Sequence, residues 1–432
     1  MTQALARVRK ERPARTAARP SPATAALKRA KPKRRTKTPF LPYGRHAVDQ
    51  ADILAVTAVL QDGLLAHGPK VGQFERALAA MVGASGACAA SSGTAALHLA
   101  LASLDVGPGD ACIVPAVTFL ATGSAARFCG AEVLFADVDP ETGLMTGPAV
   151  EAAAAGANWP VKAVLPVHLG GRLCAMTQIA QAAAALEAAV VEDACHAIGG
   201  RDLAGDPVGA CSFSDAAVFS FHPVKTIACG EGGMVACNDA DRAERMRRLA
   251  NHGVTRLPEL MVDAALSLDD AGAPNPWSYE QIELGFNYRM NELEAALGLS
   301  QLSRLNLFVR RRRALFSLYD LALAPLAPAV RLVRGAAGDR IAPHLLQVSI
   351  DFDDIGVPRA EVMRRLHGQG IGSQVHYIPV YRQPYFRARY GEQRLEGAEA
   401  FYARSLTLPL FPTMRDEDVE RVCGALARAL NL

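Results

Sequence analysis

A chain of 432 residues, half of them hydrophobic and about a fifth charged, has the material for two or three domains around a large core and the composition of a soluble globular protein. No apolar run is long enough to span a bilayer. The net charge of +3 does not make the folded body a nucleic-acid binder: residues 1–38 carry 13 Lys/Arg against the single acid Glu11, and the remainder carries 33 basic against 42 acidic residues, a net of −9.

The basic stretch is rich in Pro, Ala and Arg and has almost no large apolar side chain, so it reads as a disordered extension over residues 1–39. An electrostatic arm for RNA or anionic lipid is the alternative. It lacks the apolar centre of a secretory signal, and Pro20, Pro22 and Pro32 argue against the long amphipathic helix of a transit peptide.

From Pro39 the composition becomes globular. Residues 46–62 have a helical pattern, and Gly68-Pro69 punctuates a loop before a second helix. Strand-like and helix-like segments then alternate. "ACAAS" (87–91) precedes a helix with Leu97, Leu101 and Leu104 on one face. "ACIVPAVTF" (111–119), "AEVLFADVD" (131–139), "VKAVLPVHLGG" (161–171), "AAVVEDACHAIGG" (188–200), "DAAVFSF" (215–221) and "GGMVACND" (232–239) continue the strands, with a helical "MTQIAQAAAALEA" (176–188) among them. Continuous apolar strands separated by helices predict an α/β fold, a mostly parallel sheet covered on both faces. Residues 239–250 are helical, and 290–323 keep a long helical period that bridges to a second part. There "HLLQVSI" reads as a strand, and "PRAEVMRRLHGQG" and "DEDVERVCGALARAL" as helices. The expected division is a large domain over 40–305 and a smaller α+β domain over 306–432.

The nine cysteines include no C-x-x-C pair, and Cys112, Cys129, Cys174 and Cys237 sit in apolar runs. They read as small core residues of a reducing compartment, and zinc is not expected.

Ligands of open α/β sheets gather at the carboxyl ends of the strands. Those ends carry Ser91-Ser92-Gly93-Thr94, Thr118-Phe119, Asp193 with His196, and Ser220, His222 and Lys225, followed by Gly230, Gly232 and Gly233. "SSGT" opening a helix offers free amides and hydroxyls to an anion, or is a plain N-cap. No G-K-[ST] follows it and no G-x-G-x-x-G stands there. Asp193 ends an apolar strand and is either a cap or a carboxylate for a cofactor nitrogen. Lys225 is either a solvated strand end or a desolvated amine able to form a Schiff base. His168 and His222 read as satisfied strand-end histidines. Taken together the parts fit one ligand, pyridoxal 5′-phosphate. Its phosphate suits "SSGT" and Ser220, its ring Phe119, its ring nitrogen Asp193 and its aldehyde Lys225.

"SSGTAAL", "PAVTFLATGSA", "VVEDACHAIGG", "FSFHPVKTIACGEGG", "LGFNYRMNELEAALGLSQL" and "GIGSQVHYIPVY" occur in the order found in one family. Over about residues 40–432 the chain resembles the DegT/DnrJ/EryC1/StrS sugar aminotransferases, pyridoxal phosphate enzymes of fold type I. Within that family it looks most like the branch that aminates C4 of UDP-4-keto-6-deoxy-N-acetyl-L-altrosamine on the way to pseudaminic acid. The resemblance implies that Lys225 is the Schiff-base lysine, that Asp193 pairs with the pyridinium nitrogen, and that His196 stands near the phenolic oxygen. It implies that Phe119 stacks on the ring and that Gly93, Thr94 and Ser220 hold the phosphate. Asn287 would reach the neighbouring subunit's cofactor, which implies a homodimer with shared sites. His376 and Tyr377 would lie near the sugar nucleotide. Relatives that dehydrate replace the lysine by histidine, whereas this chain keeps Lys225. The expectation is a cytoplasmic enzyme using glutamate and a keto-sugar nucleotide, the alternatives being a 3-keto or dTDP-4-keto acceptor. The rival classes are a nucleic-acid-binding protein acting through the basic arm, and a cofactor-binding regulator without turnover.

Overall fold

Asp49 decides where the first helix begins. Its carboxylate accepts from the Ala51 and Asp52 amides at 2.9 and 3.2 Å, and Asp52 reaches back to the Asp49 amide at 3.0 Å. This reciprocal cap starts α1 at Gln50 (Gln50–Asp62) rather than at residue 46, where the helical pattern begins. The computed structural model describes residues 39–336 and 340–432. The basic extension expected over 1–39 lies, apart from Pro39, outside the described residues.

Gly68 and Pro69 open α2 (Pro69–Val82), with proline in the first turn where its missing N–H costs nothing. The predicted alternation follows: β1 (Gly86–Ala90), α3 (Gly93–Ala102), β2 (Ala111–Pro115), α4 (Leu120–Phe128), β3 (Glu132–Ala136), α5 (Gly147–Ala155), β4 (Val161–Val164), α6 (Met176–Ala185), β5 (Ala189–Asp193), β6 (Ala216–Ser220), β7 (Gly233–Cys237) and α7 (Ala240–Ala250). These strands form one sheet in the order β1-β7-β6-β5-β4-β2-β3. The contacts β3–β2–β4–β5–β6 are parallel, and β7 lies antiparallel between β1 and β6. All strands but β7 therefore point the same way, and their carboxyl ends share one edge with the amino end of β7.

Two expected strands are shorter than their apolar runs. β2 stops at Pro115, opposite the end of β3 at Ala136, so Thr118 and Phe119 fall in the turn that opens α4. The run from 161 leaves the strand after Val164, since Pro166 has no N–H to give to a ladder, and turns through a 3-10 segment at Leu169–Gly171.

A two-stranded pair, β8 (Val254–Thr255) and β9 (Glu280–Gln281), flanks the short α8 (Ala264–Ser267). The helical period over 290–323 is not one helix. It breaks at Arg304 into α9 (Glu292–Ser303) and α10 (Leu305–Leu323), and the Arg304 side chain is held by Asp49 and Asp52 of the first helix. α10 joins two cores. Leu305, Phe308 and Val309 pack with α2 and α9 beneath the large sheet, whereas Leu315, Tyr319 and Leu323 pack in a second core.

That second core is built on an antiparallel sheet of β10 (Val330–Leu332), β11 (Leu346–Ile350) and β12 (Ser405–Leu408), with α11 (Phe352–Ile355), α12 (Arg359–Gly368) and α15 (Asp416–Leu430) around it, whereas α13 (Pro384–Tyr390) and α14 (Glu396–Arg404) send Phe386, Ala398 and Phe401 into the core of the large sheet. Leu41 belongs to it and bridges to Ile371. Residues 40–432 cohere as one unit, and the division proposed at 305/306 falls at the start of α10. All nine cysteines are free, with Cys129 and Cys195 only partly buried. Among the described residues no helix is long and apolar enough to cross a membrane.

Candidate active site

The shared edge of the large sheet opens into a cleft of about 490 Å³. Of the site residues expected from sequence, Gly93, Thr94, Phe119, Asp193, His196, Ser220, Lys225, His376 and Tyr377 all line it. Asn287 does not. It is exposed, and its backbone bridges to Asn251.

The turn after β1 is both a cap and an anion cradle. Ser92 Oγ accepts from the Ala95 amide at 3.1 Å, which leaves the Gly93 and Thr94 amides at the head of α3 without an intrahelical acceptor. Ser220, at the end of β6, crowds this turn. A Cβ on Gly93 would stand 2.8 Å from Ser220 Cβ and 3.0 Å from its hydroxyl. A Cβ on Gly233, where β7 begins, would stand 2.3 Å from the Ser92 carbonyl oxygen. Of the glycines after Lys225, Gly233 thus serves a close approach of backbones at the mouth of the cradle.

Asp193 is 5 % exposed and has no ion-pair partner among the described residues. Its Oδ2 accepts from Thr122 Oγ1 at 2.8 Å and its Oδ1 from the Cys195 amide at 3.2 Å. Thr122 Oγ1 also lies 2.8 Å from Thr118 Oγ1. A hydroxyl has one proton, and Thr122 gives its own to the carboxylate, so Thr118 is the donor of the pair. A carboxylate held only by neutral donors keeps acceptor capacity for a ligand N–H, which is what a protonated ring nitrogen supplies.

Burial pushes the Lys225 amine below the usual lysine range, with Cys195 and Asp193 pulling the other way. A larger share of neutral, nucleophilic amine results. His196 Nδ1 accepts from the Gly170 amide at 3.2 Å, so the ring proton sits on Nε2, 3.4 Å from the Tyr377 hydroxyl. Burial, reinforced by Lys225, His376 and Arg172, keeps this imidazole well below the usual range and neutral. His376 Nδ1 lies 2.8 Å from Thr407 Oγ1, and burial with the Lys225 charge brings its pKa down to about 3. The floor of the cleft therefore presents neutral N–H donors beside an uncapped carboxylate and a reactive amine. That donor set fits pyridoxal phosphate.

Phe119 is 55 % exposed at the rim, its ring centroid 5.9 Å from that of Tyr377. His222 Nδ1 accepts from the Val224 amide at 3.4 Å. His168 is buried, with Nε2 2.8 Å from Glu192 Oε2, and its amide donates to the Asp193 carbonyl at 3.1 Å. It braces the backbone that presents Asp193.

Sequence reading missed Thr122, Tyr43, His344, Gln374 and Gln383, of which all but Thr122 line the cleft. Thr122 had a local signal, since it follows Thr118 by four residues, one helical turn. Tyr43 had none: it arrives through the Leu41–Ile371 bridge and a hydrogen bond from the Leu410 amide at 3.0 Å.

The sequence profile of the DegT/DnrJ/EryC1/StrS aminotransferase family matches residues 46–427. Among solved structures, Helicobacter pylori PseC, described as an aminotransferase involved in the biosynthesis of pseudoaminic acid, aligns with TM-score 0.81 at 25% identity, covering 91% of this chain and 99% of that one. DesI, solved in the presence of its TDP-sugar product, aligns at 0.78 and 31% identity over 91% and 93% of the two chains. Streptococcus pneumoniae Spr1654 in its PLP form aligns at 0.79 and 26% over 91% and 99%.

Proposed function

The chain belongs to the DegT/DnrJ/EryC1/StrS aminotransferase family, and we propose that it moves an amino group from L-glutamate to C4 of a UDP-linked 4-keto-6-deoxy sugar of the pseudaminic acid type. It is a PLP-dependent enzyme. The observation that carries the reading is the meeting, in one cleft, of a buried lysine with a lowered pKa, a buried carboxylate that makes no ion-pair contact among the described residues, and an anion cradle.

When bound, pyridoxal phosphate supplies an electron sink next to the amino-bearing carbon. The chain's own residues do the rest. The amides of Gly93 and Thr94 and the Ser220 hydroxyl hold the phosphate. Asp193 would pair with the protonated ring nitrogen, and Thr122 keeps Asp193 oriented. His196 Nε2–H donates to the phenolic oxygen, while Phe119 covers one face of the ring. Lys225 Nζ anchors the aldehyde. Once displaced by a substrate amine, it takes the proton from the donor α-carbon and in the return half-reaction delivers one to C4 of the sugar. Glutamate leaves as 2-oxoglutarate, and the keto sugar leaves as an amino sugar.

His376 and Tyr377 face the sugar nucleotide in this reading. Asn287, exposed and outside its own cleft, would serve the partner subunit's cofactor phosphate, so the working unit in this reading is a homodimer with shared sites. Both substrates are water-soluble metabolites of the cytoplasm, where we place the enzyme. A dTDP-linked acceptor is the second reading, favoured by the 31% identity to DesI.

The test is incubation of the holoenzyme with L-glutamate and a panel of UDP- and dTDP-keto sugars, following 2-oxoglutarate and product mass. Amination of the UDP-4-keto-6-deoxy sugar at C4 is expected. Exclusive use of a dTDP or 3-keto acceptor would replace the pseudaminic-type assignment.

A further inference from the structure

A transaminase cleft takes two substrates in turn, and only the amino-acid donor brings a carboxylate on the reacting carbon. The keto sugar brings hydroxyls to the same place. A fixed guanidinium would hold the donor but would meet the sugar with an uncompensated charge. A neutral N–H donor serves a carboxylate and a hydroxyl alike. The cleft follows this logic: among the described residues that line it there is no arginine, and Lys225 is the one lysine.

His344 is the lining residue that the chemistry above leaves unused. It is 4 % exposed, and its ring packs against that of His196 at a tilt of 34°, with centroids 4.5 Å apart. Its backbone is pinned. The amide donates to the Gly170 carbonyl at 3.0 Å, and the carbonyl accepts from Arg312 Nη1 at 3.1 Å. Neither ring nitrogen has a hydrogen-bond partner among the described residues, and Nδ1 is wholly buried. The neutral ring carries one N–H, and a ligand acceptor in the cleft would draw it to Nε2, since no acceptor among the described residues competes at the buried Nδ1. The titratable groups around it, His196, Lys225, Arg312 and His376, are all potential cations. Arg312 is 1 % exposed, has no carboxylate partner among the described residues, and leaves Nε and Nη2 unpaired. Buried polar groups are almost always satisfied. His344 thus offers the cleft an N–H that no acceptor among the described residues takes, and the unpaired nitrogens of Arg312 behind it add positive charge, a setting that favours an anionic ligand group.

We propose that His344 Nε2–H binds the α-carboxylate of the amino-acid donor, and that the unpaired Arg312 guanidinium behind it strengthens the hold on that anion. The assignment rests on the aminotransferase reading for the donor's identity.

The test uses PLP-loaded enzyme, wild type against His344→Phe, whose ring can keep the contact with the His196 ring. Titration calorimetry with glutarate, which has the carboxylates but no amine, should show the Kd weakened about 10- to 100-fold, as expected for one hydrogen bond to a charged group. The KM for L-glutamate should rise by a similar factor. Cofactor absorbance should stay at the wild-type value, and the half-reaction of the amine-loaded enzyme with the keto sugar, where the same N–H meets only a neutral hydroxyl, should fall by less than the glutamate half-reaction. His344→Asn, which keeps an N–H donor, should recover part of the glutarate affinity. Unchanged glutarate binding in His344→Phe overturns the assignment, as does an equal fall in both half-reactions. Wild-type enzyme that binds no glutarate overturns it too. Glutarate binding that depends on His344, with no amino transfer from glutamate, leaves the carboxylate subsite standing and removes the aminotransferase reading.

Discussion

Thr122→Val removes the hydroxyl hydrogen bond to the Asp193 carboxylate. Thr122 is fully buried, donates to Asp193 Oδ2 at 2.8 Å, and accepts from Thr118. Valine replaces the hydroxyl by a methyl group and opens no cavity, so the loss is that of a charge-assisted bond, about 1.5–3 kcal/mol. Thr118→Val removes only a neutral hydrogen bond, about 0.5–1.5 kcal/mol. Thr118 acts on Asp193 through Thr122 alone, so the double variant should cost no more than Thr122→Val by itself. Thermal unfolding of the three apoenzymes reads this directly: a drop of a few degrees for Thr122→Val, a smaller one for Thr118→Val, and no further drop on combining them. Cofactor retention on dialysis should fall in the same order. A Thr118→Val variant as damaged as Thr122→Val, or strictly additive losses, would refute the relay.

Burial lowers the Lys225 pKa from 10.5, so between that lowered value and 10.5 the unfolded chain binds more protons than the folded one, and the apoenzyme gains stability as pH rises through the window. Lys225→Met should abolish that part of the pH slope, melt higher at neutral pH, and show no lysine-bound cofactor absorbance; a variant with the wild-type slope would place the amine in water. Gly93→Ala puts a Cβ 2.8 Å from Ser220 Cβ. It should cost about 1–3 kcal/mol in overpacking and weaken cofactor binding at least about tenfold, measured by absorbance titration; wild-type affinity would mean the phosphate binds elsewhere. Deleting residues 1–38 should leave turnover within about twofold, the surface-tail expectation, and remove any salt-sensitive affinity for RNA or DNA; loss of turnover would tie the extension to catalysis.

What the amino-acid sequence settled is local. Apolar strands alternating with helices from 86 to 250 dictate a sheet covered on both faces, and parallel crossovers put the carboxyl ends of β1, β5 and β6 on one edge. "SSGT", Asp193 and Lys225 could be picked out because each lies at or just beyond a strand end, a position visible in the periodicity. What only the packed chain decided is which distant groups complete the cleft. Tyr43 enters from a segment paired to Ile371 through Leu41, and His344, just before β11, and His376 and Tyr377, in the loop after α12, come from more than a hundred residues beyond Lys225. The break at Arg304, the proton on His196 Nε2 and the unsatisfied ring of His344 likewise depend on partners far off in the chain. Periodicity fixes the direction a side chain takes from its own backbone; whether a donor finds an acceptor is fixed by ångström-scale distances between elements, which no local pattern encodes.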